Sequence, residues 1–370
     1  MREYKLVSGD GHVNEPPNVW IDRLPQKYQE RAPKMQRFEQ GHAWVFEGAT
    51  NPINFGFNAS AGLPPGKNGP WIFWEKVEKR SYDPHARVQA LDQGNVDAEL
   101  MYSTPRIAGA LCAGNKDREF HLACIRAYND WLSDFCSKYP DRLYGLALMP
   151  TTGVEDALAE FNRAMKLPSM KSPYLGMWPN GQSTLGTEDE RFWAAVRELG
   201  VPVSVHVSIN TAPRQVSDGD PNRARIGTKG ETRGISSGTA TNCLELIQSG
   251  AFDRFPNLKI VFAECETSWV PIAKQTMDDR YKRYGSTTHK EKPSYYFDRN
   301  IFTTFVIDPY AVRNRDLVGV SQMMWSNDLF HAVCEWPNDW KIIERDFKGV
   351  PENEKHAILA GNVVREYKLK

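Results

Sequence analysis

The chain has 370 residues, 41% of them hydrophobic and 25% charged, enough for one large α/β barrel with insertions or for two ordinary domains. Lys plus Arg and Asp plus Glu number 46 each, so the formal net charge is zero. That balance leaves no basic field to recruit nucleic acid or an anionic membrane.

No apolar run approaches the roughly 18 residues of a membrane span. The first residues, Met1-Arg2-Glu3-Tyr4-Lys5, lack the apolar core of a signal peptide. The six cysteines are scattered and form no Cys-x-x-Cys pair, which points to a reducing, cytoplasmic setting.

The first predicted strand runs from Leu6 into Gly9-Asp10-Gly11-His12. Strand side chains alternate faces, so Asp10 and His12 point the same way. Carboxylate and imidazole both bind divalent metals, although an Asp-x-His pair alone is as readily a polar strand end. Residues 14–80 follow as a long irregular stretch with Pro16-Pro17, Pro64-Pro65-Gly66 and Gly69-Pro70-Trp71, in which Ala43–Phe46 reads as a short strand. A stretch this long is often a lid or binding insertion.

A regular alternation then begins. Residues 84–94 read as a helix and 97–103 as a strand. Next come helix 118–139, strand 143–149, helix 154–165, strand 174–178, helix 188–199 and strand 201–207. A Gly- and Ser-rich loop spans 208–238. Helix 241–250, strand 258–263, helix 271–283, strand 300–305, helix 311–317 and strand 322–325 follow, and helices 340–347 and 352–360 come last. Eight strands alternating with helices predict parallel βαβ units and a (β/α)8 barrel over residues 1–370, with 14–80 as an insertion after the first strand. An open doubly wound sheet is the alternative, but no Gly-x-Gly-x-x-Gly follows the first strand.

In such a barrel the active site sits at the C-terminal ends of the strands. Those ends carry Asp10 and His12, then His206, then Glu264 with Glu266 beyond it, then Asp328 with His331 in the next loop. A lone histidine at a strand end is usually a hydrogen-bonded core residue. Two histidines and three carboxylates on one rim are costly unless a cation balances them. Glu15 is read as a ligand or as an acid of the Pro-Pro turn, and His331 as a substrate or metal contact or a loop histidine. Arg106 is either a bidentate clamp for a substrate carboxylate or a structural arginine. Trp44, Trp71 and Trp74 line a lid or form the insertion's own core. Cys265 and Cys334 lack a pairing base and read as packing residues.

Several segments together resemble the amidohydrolase-related branch of the amidohydrolase superfamily, which includes metal-dependent decarboxylases. They are Asp10-Gly11-His12-Val13-Asn14-Glu15-Pro16, Arg23-Leu24-Pro25, Val201–His206, Phe255–Val261, Trp269-Val270-Pro271, Met324–Asp328 with His331 and Trp336-Pro337, and Asn362. The resemblance implies a (β/α)8 barrel with His12, His206 and Asp328 as metal ligands and Asp10 in the first-strand ligand position. Two departures are visible: Asp10-x-His12 stands where many members have His-x-His, and Glu264 where many have a sixth-strand His. Carboxylates in place of imidazoles shift preference from Zn toward Mn or Fe and make a two-metal site plausible.

Three functions follow as expectations. The first is a metal-dependent hydrolase or non-oxidative decarboxylase of a small carboxylate or amide, with Asp328 as ligand and general base. The second is an O2-dependent oxygenase with a dinuclear Fe or Mn/Fe site. The third is a scaffold subunit for an active paralogue. Oligomerisation, with identical or paralogous chains, is expected with any of them.

Overall fold

The alternating pattern builds a barrel of eight parallel strands, seen in a computed structural model that describes residues 3–49, 51–64, 66–113, 117–209 and 237–370. The first strand is β1 (Val7–His12). The insertion that follows carries a small antiparallel sheet, β2 (Lys34–Arg37), β3 (His42–Val45) and β4 (Ile53–Asn54). Then come α1 (Pro84–Gln93), β5 (Ala98–Tyr102), α2 (Pro105–Ala113), α3 (Arg118–Cys136), β6 (Leu143–Leu148), α4 (Val154–Ala164), β7 (Met170–Leu175), α5 (Glu190–Leu199) and β8 (Val203–His206). The second half has α6 (Ser237–Gln248), α7 (Ala251–Arg254), β9 (Ile260–Ala263), α8 (Val270–Tyr284), α9 (Pro293–Asn300), β10 (Ile301–Phe305), α10 (Pro309–Arg313), α11 (Arg315–Val318) and β11 (Met323–Trp325). The last helices are α12 (Asp339–Asp346), α13 (Glu352–His356) and α14 (Asn362–Tyr367).

The barrel strands pair in the order β1-β5-β6-β7-β8-β9-β10-β11. Strands β1, β5, β6, β8, β9, β10 and β11 are buried at every position, as expected for a parallel sheet covered by helices. Closure between β11 and β1 is made by the residues just past β11. Asp328 N donates to Asp10 O (3.1 Å), and His12 N donates to Leu329 O (2.7 Å). Ser8 Oγ, buried in β1, donates to Asn327 Oδ1 (2.9 Å). The last strand's ligand-bearing end is thereby tied directly to the first strand's.

Local signals explain most boundaries. Asp83 caps α1 by accepting from Ala86 N (2.8 Å), with Pro84 in the first turn. Gly200 ends α5 in a left-handed conformation at φ 65°. The strand predicted at 174–178 lies earlier, at Met170–Leu175. Ser172 in its first half is polar, but its Oγ finds Ser204 Oγ (2.8 Å) and Pro202 O (3.0 Å) inside the barrel. Helices α2, α7 and α9 were not among those predicted.

The insertion's aromatic residues pack on one another and run continuously into the barrel's core. Trp44 packs edge-on against Trp20 at 4.9 Å and lies near Phe46 at 6.2 Å. The insertion meets the barrel through Trp20 Nε1, which donates to Cys124 O (3.1 Å) on α3, and through Ser60 N and Ala61 N, which both donate to Phe330 O (3.1 Å). The predicted loop 208–238 falls almost wholly outside the described residues.

Candidate metal centre

Five of the rim residues picked out from the sequence converge. Asp10 and His12 come from β1, His206 from the end of β8, Glu264 from just past β9 and Asp328 from just past β11. His12 Nε2 lies 3.0 Å from His206 Nε2, 3.5 Å from Asp10 Oδ1 and 3.3 Å from Asp328 Oδ1. His206 Nε2 lies 3.6 Å from Asp10 Oδ2 and 3.3 Å from Glu264 Oε2. His331 joins them: its Nδ1 is 2.8 Å from the Asp328 carboxylate, and its ring stacks on His12 with centroids 4.3 Å apart. Ligand atoms of His12, Glu264, Asp328 and His331, and separately of Asp10, His12 and His206, lie within 4.8 Å of one another.

The backbone is bent to present these groups. Val207 (φ 58°), Glu264 (φ 49°) and Asp328 (φ 50°) are left-handed, a conformation that costs a non-glycine residue about 1–3 kcal/mol. Strain at three strand ends around one point is the pattern expected where geometry serves a site and the surrounding fold offsets its cost.

The cluster's chemistry fits a divalent metal. Asp10 is completely buried, and neither of its carboxylate oxygens has a hydrogen-bond donor. Burial, then the charges of Asp328 and Glu264, raises the Asp10 pKa well above the usual carboxylate range. Burial, then the neighbouring His331 and His206, lowers that of His12. The site therefore resists both anionic carboxylates and cationic imidazoles until a cation is supplied. His12 Nδ1 is 3.0 Å from Ser103 O, so that nitrogen carries the proton and Nε2 presents its lone pair inward. Two ligands each about 2.1 Å from one ion, at right angles, would be about 3 Å apart, which is the His12–His206 separation.

The other sequence candidates lie elsewhere. Glu15 is buried, but its Oε1 accepts from Thr104 N (3.2 Å) before α2, and it is outside both ligand groups. Burial raises its pKa to about 7. Arg106 Nη1 is engaged by Asn54 O (3.0 Å) and by the Asn54 side chain, which fits the structural reading. Trp44 is buried in the insertion's core, and half-buried Trp71 packs near Phe38 at 5.6 Å, so both side with the structural reading over substrate contact. Cys265 and Cys334 are buried packing residues, with burial raising both thiols. An open cavity of about 610 Å³ lined by Lys5, Asp97, Arg142 and Trp340 lies at the other end of β5 from Ser103, away from the cluster.

Sequence reasoning missed Ser103 and a buried ion pair beside β1, in which Arg87 on α1 donates to Glu99 on β5 (2.8 Å). Ser103 acts through its carbonyl, which no side-chain pattern reveals. Glu99 did carry a signal: it is a charge in the middle of an otherwise apolar strand.

The sequence model of the Amidohydrolase family matches residues 10–369. The chain belongs to that family. Among curated relatives it is 27% identical over 316 residues to the gamma-resorcylate decarboxylase of Rhodococcus jostii, covering 78% of this chain and 90% of that one. The amidohydrolase-family fold recurs in an amidohydrolase from Mycobacterium avium subsp. paratuberculosis, with TM-score 0.76, 17% identity and coverage of 99% and 100%. It recurs in a dihydroxybenzoic acid decarboxylase from Polaromonas, solved with manganese and 2-nitroresorcinol, with TM-score 0.67, 20% identity and coverage of 99% and 98%. A 5-carboxyvanillate decarboxylase from Sphingomonas paucimobilis gives TM-score 0.67 at 21% identity and full coverage of both chains. At these identities the structural matches establish the fold alone.

Proposed function

We propose that this amidohydrolase-family member is a metal-dependent, non-oxidative decarboxylase of a hydroxylated aromatic carboxylate. The observation that carries the reading is the buried cluster of Asp10, His12, His206, Glu264 and Asp328, with its donorless Asp10 carboxylate. The decarboxylase names among its relatives support the choice of reaction over amide hydrolysis. They do not favour the oxygenase or scaffold readings.

Asp10, His12, His206 and Asp328 would hold the metal, with Glu264 alongside. Bound there, a divalent ion supplies Lewis-acid stabilisation of negative charge on a substrate oxygen. The reaction breaks the bond between a ring carbon and the carboxyl carbon. The electron pair stays on the ring as CO2 leaves, and one proton must reach that carbon. Asp328 and His331, 2.8 Å apart, are placed to hold and pass it. Burial of both keeps bulk water from competing.

The test is CO2 release from 2,6-dihydroxybenzoate and 5-carboxyvanillate by manganese-loaded protein, in air and under argon. Equal release in both atmospheres, abolished by a chelator, is expected. Oxygen consumption with a hydroxylated product and no CO2 would establish the dinuclear oxygenase instead.

A further inference from the structure

A buried ion pair lies behind the seam where β1 meets the end of β11. Arg87, on α1, and Glu99, on β5, are both 0% exposed, with Arg87 Nε donating to Glu99 Oε2 (2.8 Å). The same guanidinium spans the seam. Its Nη2 donates to His12 O and to Leu329 O (3.3 Å), and its Nη1 donates to Arg80 O (3.3 Å). Its Cζ lies 4.6 Å from the centre of the Phe330 ring. One planar fork thus grips the carbonyl of His12 on one strand and the carbonyl of Leu329, the residue after Asp328, on the other. An ammonium is a point charge without that fork, so lysine cannot reproduce the grip.

Space has been left for the pair. A Cβ on Gly11 would sit 1.9 Å from Glu99 Oε1, so glycine between Asp10 and His12 makes room for the carboxylate. Burying two charges costs several kcal/mol per ion, and a well-packed apolar pair would often serve stability as well. Stability alone is therefore a weak reason for the pair. Its location supplies a better one, because His12 and Asp328 carry ligand atoms 3.3 Å apart across this seam.

We propose that the Arg87–Glu99 pair is a positioning device, which ties the His12 carbonyl to the Leu329 carbonyl, one residue past Asp328, so that both strands' ligand atoms are in place before the metal arrives. Arg87 and Glu99 stand outside both groups of clustered ligand atoms. Preorganising a site in this way lets affinity go into binding the ion and not into ordering the strands. The inference rests on the metal-site assignment made above.

Two measurements test it. In metal-free wild-type protein, the amides of His12 and Asp328 should resist hydrogen exchange as strongly as mid-strand amides of β6. Protection that appears only on adding Mn²⁺ would mean the ion sets the seam, and would overturn the proposal. Separately, Arg87→Lys and the double variant Arg87→Met with Glu99→Met are compared with wild type by chelator competition and by the Mn²⁺ EPR line shape. Both readings are taken well below each variant's melting temperature. Each variant should bind Mn²⁺ about 10–100-fold more weakly with an altered line shape. Wild-type affinity and line shape in the folded double variant would refute the device. If neither variant folds, the wild-type exchange result decides alone. Wild-type protein that binds no Mn²⁺ would instead bring down the metal assignment, and with it the reason for the device.

Discussion

His206 reaches the cluster from β8, across the barrel from the seam, so as a proposed ligand it would serve the metal without contributing to closure. His206→Ala should weaken metal binding about 10–100-fold while changing the metal-free unfolding free energy by less than about 2 kcal/mol. Elemental analysis and urea unfolding of one preparation check both halves, and full occupancy with unchanged turnover would refute the ligand role. The five converging residues could be read from the sequence because a barrel turns strand ends into a list of neighbours, and each of them stands at such an end. Glu15 could not be placed that way. It lies three residues past His12, where the chain has left the strand and alternation no longer fixes direction. Glu15 makes a pH prediction of its own. Burial raises its folded pKa from 4.5 to about 7, so the folded protein holds that proton more tightly than the unfolded chain. Its contribution to stability is complete below pH 4.5 and is lost as pH rises toward 7. Glu15→Gln should therefore be more stable than wild type at pH 8, by on the order of 1–3 kcal/mol, with the difference shrinking toward pH 4.5. Denaturant titrations at the two pH values check the sign, and a difference independent of pH would rule out Glu15 as its source.

Between residues and fold stands the insertion at 14–80. Its length and aromatic content marked it in the sequence, but its internal sheet was only partly legible. Ala43–Phe46 stood out as apolar, whereas β2 is Lys-Met-Gln-Arg and β4 is two residues long, so neither shows a strand pattern. These strands form because β3 pairs with both, burying Trp44 against Trp20. The same non-local logic hid the start of β7, whose serine is satisfied by another strand's serine. Ser60 and Ala61 bond to Phe330, two residues past Asp328, which ties the insertion to that end of the barrel. Trp44→Ala should lower stability by about 3–5 kcal/mol through the cavity it leaves. Because Trp44 lies away from the ligands, Mn²⁺ affinity of the folded protein should stay within about twofold of wild type. A large loss of affinity in this variant would show that the insertion's core holds the rim, and not merely itself.

At the scale of the molecule, the barrel needs its C-terminal helix as well as its strands. The alternation of strand and helix patterns made the eight-stranded fold legible, since each βα unit repeats one local signal. The clamps around the barrel were not legible, because each joins residues far apart in sequence. Tyr367, on α14, sits 2.9 Å from Ser204 Oγ, which in turn is 2.8 Å from Ser172 Oγ, so a hydroxyl chain runs from the last helix into the strands. Asn362 begins that helix and is fully buried. Its Nδ2 donates to Val320 O (2.8 Å) and to Met323 O (2.7 Å), bracketing the turn that leads into β11. Those two carbonyls have lost water, and an alanine at 362 offers them nothing in return. Asn362→Ala should therefore cost about 1–3 kcal/mol, the penalty of a buried acceptor left unmet. The effect should also reach the metal centre, because β11 delivers Asp328 three residues beyond Trp325 and the seam with β1 depends on that delivery. Thermal unfolding without metal reads the first consequence and chelator competition with Mn²⁺ reads the second. A variant with wild-type values of both would show that β11 holds its place through its pairing with β10 alone.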